Sequence, residues 1–139
     1  MVDDSNTNVN SEDRRQYLVF IQDIISRMAG NSASLKTWIA PILTVVFAWC
    51  AVKTNTLVLI AGLIVTVAFW MMDAQYLRLE RAYRRLYDKA VSGDTRLYDL
   101  KPPQDNGVCD YLNALFSWSV MGYYFILIAA GVIIWLLII

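Results

Sequence analysis

Apolar residues along the chain collect in three long blocks set apart by charged segments. Uncharged runs cover Thr37–Val52, Thr56–Met72 and Tyr111–Ile139, which are 16, 17 and 29 residues long. As helix, the first run covers roughly 24 Å, and Lys36 and Lys53 at its ends can stretch their ammonium groups to both faces of an ~30 Å hydrocarbon layer. Only Lys53-Thr54-Asn55 separates the first run from the second. So short a connector predicts an antiparallel helical hairpin. The stretch Val120–Ile139 covers roughly 30 Å as helix and predicts a third span that ends the chain.

Periodicity extends both hairpin helices beyond their apolar blocks. Tyr17, Ile21, Ile24 and Met28 recur at steps of four, three and four, with Leu18 and Ile25 widening the stripe. This is the signature of an amphipathic helix. Its start is expected at Ser11, with Asn10 as N-cap and Glu12 and Asp13 in the first turn. The spacing continues through Asn31, Leu35, Trp38, Ile42 and Val45, so one helix is expected to run on into the first apolar block. Gly30 and Ser34 form a small-xxx-small step suited to close helix approach, and Pro41 is expected to bend the helix locally.

On the second helix, Phe69, Met72, Tyr76, Leu79, Tyr83, Leu86 and Ala90 form an unbroken heptad seam that leaves the apolar block. The opposite face carries Arg78, Glu80, Arg81, Arg84, Arg85, Asp88 and Lys89, with Glu80 and Arg84 in the favourable i,i+4 order. Gly93 is expected to end this helix.

The predicted class is an all-α membrane protein with three transmembrane helices, the first two a hairpin extended into the cytosol as an antiparallel helical stalk. In order, the parts are a disordered polar tail (1–10); an amphipathic helix, transmembrane hairpin (37–52 and 56–72) and stalk helix (11–90, the stalk from 73); a connector holding Pro102-Pro103 and the turn-prone Asp105-Asn106-Gly107 (91–110); and a C-terminal transmembrane helix (111–139).

Composition narrows the function. The chain is 58% hydrophobic and 17% charged, which does not describe a soluble enzyme core. Twelve Lys and Arg balance twelve Asp and Glu, so no net charge drives nucleic-acid binding. Histidine, the commonest general base and metal ligand, is absent. Cys50 and Cys109 have no metal-site spacing and read as free thiols. The acids Asp94, Asp99, Asp105 and Asp110 have no partnered base. No catalytic residue, cofactor or metal is expected.

Charge also predicts orientation. Four Lys and Arg precede the first span and seven lie between residues 74 and 110, against one in the hairpin turn. The excess places the N-terminus and the connector in the cytoplasm and the C-terminus outside. Trp38, Trp70 and Trp118 then fall near the inner interface, with Trp49 and Trp135 toward the outer one.

Candidate functional residues fall into two groups. Asp73, Arg78, Glu80, Arg81, Arg84 and Arg85 sit just below the second span, where the arginines can meet anionic head groups and Asp73 can meet Lys36 or Arg78. Tyr17, Ile21, Ile24 and Met28, with Tyr76, Leu79, Tyr83 and Leu86, read as packing surfaces. Leu18, Ile25, Leu77 and Tyr87 exceed what one helix pair buries, which predicts self-association. With the seam as the assembly surface, Glu at Leu79 and Leu86 would dissociate the oligomer and leave insertion intact.

Two segments, Phe20–Trp38 and Phe69–Asp88, resemble the RipA-like family of small octameric bacterial inner-membrane proteins. The more specific is the second, in Asp73, Tyr76, Leu77, Arg78, Glu80, Arg81, Tyr83, Leu86 and Tyr87, and the likeness covers about residues 17–139. The resemblance implies a homo-octamer without catalytic chemistry. A weaker likeness is to two-span helical effectors of bacterial defence systems, which implies membrane disruption.

The resulting expectation is a non-catalytic, self-assembling protein of the bacterial inner membrane with a structural or envelope-associated role. A pore-forming effector gated through the stalk is the alternative, although the spans offer only Thr44, Thr66, Ser117 and Ser119 to line a water path. Expected partners are further copies of itself, anionic membrane lipids and a cytosolic protein that engages the stalk, and not nucleic acid.

Overall fold

A computed structural model describes residues 4–53, 56–104 and 107–138, with side chains from Ser11 to Leu137. Among the described residues the chain is all-helical, with α1 (Asp4–Lys53), α2 (Thr56–Ser92), α3 (Val108–Leu115) and α4 (Trp118–Ile138). Three of these, α1, α2 and α4, are long and apolar enough to cross a membrane, which bears out the expected helical class and its three candidate spans.

α1 runs for 50 residues without interruption through Gly30 and Pro41. It begins at Asp4, ahead of the expected start at Ser11, so Asn10 lies inside the helix and is not its cap, and residues 4–10 are helical where a disordered tail was expected. Adding a turn to an existing helix avoids the nucleation penalty, so a polar segment of middling propensity can extend it. Residues 1–3 lie outside the described part, as do Thr54 and Asn55 of the connector and Asp105 and Asn106 of the expected turn.

α1 and α2 lie alongside in opposite directions. At one end Tyr17 and Ile21 form a buried cluster with Leu86 and Ala90, on which Leu18, Ile25, Tyr83 and Tyr87 also pack. Toward the other end α2 meets α1 at Gly62, where an added Cβ would stand 2.8 Å from Val46 Cγ1. A second cluster joins α1 to α4 through Ile39, Leu43, Val120 and Tyr124, with Phe47, Phe69, Trp70 and Leu77 packed against it. α4 also approaches at a glycine, since a Cβ on Gly131 would lie 2.8 Å from Leu63 Cδ2. The close approaches are thus at Gly62 and Gly131. Gly30, the expected site of tight contact, has nothing within 4 Å of a Cβ built on it.

The change of partner alters the buried stripe of α1. Trp38, Ile42 and Val45, expected to continue it, are 67%, 41% and 69% exposed, whereas Ile39, Leu43 and Cys50 are enclosed. A strict 3.5-residue repeat drifts around an unsupercoiled helix by about 20° per heptad, and here α4 takes over part of the contact from α2. On α2 the same shift exposes Met72, a member of the expected seam, and buries Asp73 beside it.

The third apolar block is not one helix from Tyr111. It divides at Phe116 and Ser117 into α3 and α4. The division is held by α2, because Trp70 Nε1 donates to the Leu115 carbonyl (3.1 Å) and Arg81 Nη2 donates to Ser117 Oγ (2.9 Å). The Trp70 donor answers a carbonyl that the end of α3 leaves open.

Gly93 ends α2 as expected, with φ +87°. Gly93 N donates to the Ala90 carbonyl (3.3 Å) and Asp94 N to the Lys89 carbonyl (3.0 Å), the paired bonds of a Schellman motif. Arg14 Nη2 adds a bond to the Val91 carbonyl (2.6 Å), placing a cation at the negative end of the helix. The chain then folds back over α1: the Tyr17 hydroxyl donates to the Asp99 carbonyl, and the Tyr98 ring lies 6.0 Å from that of Tyr17 and 6.4 Å from that of Phe20. These contacts hold Tyr98 at φ +65°, a conformation uncommon for a residue with a side chain.

Candidate functional site

The polar residues of greatest interest lie where α1, α2 and α4 converge. Asp73 is fully enclosed there, although it was expected at an open interface. Lys36 Nζ stands 3.1 Å from its Oδ2, and Ser32, one turn before Lys36, donates its hydroxyl to Oδ1. Lys36 Nζ also lies 3.4 Å from Ser32 Oγ, so the three groups form a closed set between α1 and α2. The contact of Lys36 with Asp73 is an ion pair without hydrogen-bond geometry, since Oδ2 accepts no hydrogen bond among the described residues. A buried carboxylate needs such company, because removing a charge from water is costly unless attraction and hydrogen bonds offset it.

α4 closes the site from the third side. The Tyr123 hydroxyl donates to the Lys36 carbonyl (2.7 Å), and the Tyr123 and Tyr124 rings meet edge to face at 5.3 Å. Tyr124 is fully buried, and its hydroxyl has no hydrogen-bond partner among the described residues. The arrangement can fix the relative depth of three helices.

The arginines divide between two sides of α2. Arg84 pairs with Glu80 (2.8 Å) and lines an open groove against α1, with Gln22, Ile25 and Ser26 opposite. Arg78, Arg81 and Arg85 face α3, where Arg85 pairs with Asp110 (3.2 Å). The four arginines expected to act as one head-group cluster are therefore three and one, because Arg84 is rotated away from its neighbours by the helical step.

The packing residues are also divided. Tyr17, Ile21 and Leu86 are core, Tyr83 packs against them, and Ile24, Met28, Tyr76 and Leu79 are half-buried. The apolar surplus is used within the chain: Leu18, Ile25 and Tyr87 cover the first cluster and Leu77 the second. Cys50 is buried and Cys109 exposed. Beyond the helices, reduced access to water, and then the Asp13 carboxylate near its hydroxyl, raise the Tyr98 phenol above its ordinary pKa.

Ser32, Tyr123 and Tyr124 belong to these sites and were not singled out from the sequence, whereas Trp70, Ser117 and Asp110 were read there as an interface aromatic, a span hydroxyl and an acid without a partnered base, and not as the partners of Leu115, Arg81 and Arg85. A signal existed for Ser32, Tyr123 and Tyr124. Ser32 stands four residues before Lys36, and Tyr123 and Tyr124 carry the only side-chain hydroxyls in the sequence from Val120 to Ile139.

No protein-family model matches the chain, and no curated protein or solved structure matches it.

Proposed function

We propose that this chain is a non-catalytic protein of a bacterial inner membrane that crosses the bilayer three times and self-assembles into a closed homo-oligomer with a structural or envelope-associated role. In this reading the apolar parts of α1, α2 and α4 span the membrane, the charged halves of α1 and α2 form a cytosolic antiparallel stalk, and the C-terminus lies outside. The resemblance of Phe20–Trp38 and Phe69–Asp88 to RipA-like proteins suggests eight copies.

One observation carries the self-assembly. Beyond the apolar spans, where water and not lipid meets the surface, Val19, Phe20, Leu97 and Leu100 stay 48%, 41%, 42% and 39% exposed. Phe20 contacts Tyr98, which ties the α1 residues to the loop residues as one patch. A contiguous apolar patch on a water-facing segment is the mark of an association surface.

The span hydroxyls favour a sealed assembly over a pore. Thr66 Oγ1 donates to the Gly62 carbonyl (2.8 Å) and Thr44 Oγ1 to the Ala40 carbonyl (2.9 Å), so both are satisfied within their own helices. Ion flux from liposomes containing the full chain tests this directly. Liposomes that hold a potassium gradient as well as protein-free ones are the expected result. Leakage that scales with protein content would replace the structural reading with the pore-forming one.

A further inference from the structure

α3 turns its one charged side chain inward. Asp110 pairs with Arg85 of α2 (3.2 Å), Arg81 Nη1 donates to the Asn113 carbonyl (3.4 Å), and the Tyr111 hydroxyl donates to the Met71 carbonyl (3.2 Å). Ala114, on the same side, is fully buried. The other side bears Val108, Leu112 and Phe116, one turn apart, which are 72%, 44% and 59% exposed. No charged residue shares that face. A helix meeting water turns the pattern round, with its carboxylate outward and its apolar stripe on the core.

Two neighbours fix the level of this stripe. α2 leaves its uncharged run at Met72 and reaches its arginines at Arg78, and α3 is bonded to it between Met71 and Arg85. α4 starts at Trp118 and holds no charged residue. Phe116 shares an apolar groove of about 720 Å³ with Trp118, Met121, Phe125 and Ile126 among others, so the stripe of α3 passes into the outer surface of α4. Trp118, where the two helices meet, is 93% exposed. An indole, apolar in body with one polar edge, favours the head-group level of a bilayer.

We infer that α3 is an interfacial anchor, whose Val108, Leu112 and Phe116 face lies in the boundary between head groups and acyl chains of the leaflet in which α4 begins. The inference rests on the membrane-spanning reading of α2 and α4. Burial of these apolar side chains supplies the attraction, so no anionic head group is needed. The bonds of Tyr111 and Asp110 to α2 make the anchor fix the depth of that helix as well.

The test is spin-label depth in phosphatidylcholine liposomes, using the full chain with Cys50→Ala and Cys109→Ser. A nitroxide is placed on one cysteine at a time, at Val108→Cys, Leu112→Cys or Phe116→Cys, with Ile126→Cys on α4 and Lys101→Cys in the connector as references. Each of these positions is exposed, so no label has to enter the core. Collisions with oxygen, which concentrates among acyl chains, and with a water-soluble nickel chelate give the depth of each label. The three α3 labels are expected to favour oxygen, at about 5–10 Å into the boundary, with Ile126 deeper and Lys101 open to nickel. Labels at Val108 and Leu112 as open to nickel as Lys101, with Ile126 still deep, would overturn the inference and leave the spans intact. Ile126 open to nickel would overturn the spanning reading and the inference with it. Labels on α3 shielded from both reagents, and broadened by one another until unlabelled protein is added, would put a second copy on this face in place of lipid and would overturn the inference too.

Discussion

Asp73→Leu is expected to destabilise the protein by about 3 kcal/mol, because it strands the Lys36 ammonium between helices without its counter-charge. Lys36 keeps 23% of its side chain exposed, which places the cost at the lower end of the range for a broken buried pair. Ser32 also loses the carboxylate that accepts its hydroxyl. Asp73→Asn should cost less, since an amide oxygen can still accept from Ser32. Joining Asp73→Leu to Lys36→Met should recover most of the loss, as apolar side chains of similar size replace the pair without leaving a charge. Denaturation of the four species in one detergent gives the coupling directly. Strictly additive losses would show that the two residues are not energetically paired.

Leu86→Glu is expected to be the most damaging single change in the charged halves of α1 and α2. Leu86 is 2% exposed and lies against Tyr17, Ile21 and Ala90, so a carboxylate there is enclosed by apolar side chains. The loss should reach about 4 kcal/mol, in the range of the largest core substitutions. Amide hydrogen exchange across residues 77–90 should accelerate by roughly 500- to 1,000-fold, with the apolar halves of α1 and α2 less affected. Unchanged protection would contradict the packing of α1 on α2. A paired Leu79→Glu and Leu86→Glu variant, attractive when the seam reads as an assembly surface, therefore unfolds this end of the chain before it reports on association. Phe20 and Leu97, both exposed, are the positions that probe association without touching the core.

Much of this architecture was legible in the sequence for a simple reason. Long uncharged blocks and a sustained three–four spacing leave few alternatives to long helices, and α1 and α2 carry that spacing through Gly30, Pro41 and Asp73 without a break. Gly93 was legible too, because a glycine after the last periodic residue suits the positive φ that a Schellman ending requires. The side each residue faces was less so. Periodicity counts turns within one helix, and it carries no information about the point at which α1 passes from α2 to α4. That is why Trp38, Ile42 and Val45 read as buried and Ile39 and Leu43 are.

The same limit explains the site. Asp73 and Lys36 could be paired from sequence because both lie at the ends of apolar runs, where either would seek a counter-charge. Ser32 and Tyr123 could not, since their roles depend on bonds made across helices by ordinary hydroxyls. The break at Phe116 and Ser117 was hidden for a related reason. No proline or glycine marks it, and its carbonyl and hydroxyl are answered by Trp70 and Arg81, 45 and 36 residues distant along the chain.

The measurement that bears most directly on the central claim is the mass of the full-length protein after gentle extraction into nanodiscs. The account predicts a single closed species several times the 15.9 kDa chain, eightfold if the family likeness holds, and its dissociation by Phe20→Glu with Leu97→Glu without loss of helix content. A wild-type protein that stays monomeric at every lipid ratio would contradict it.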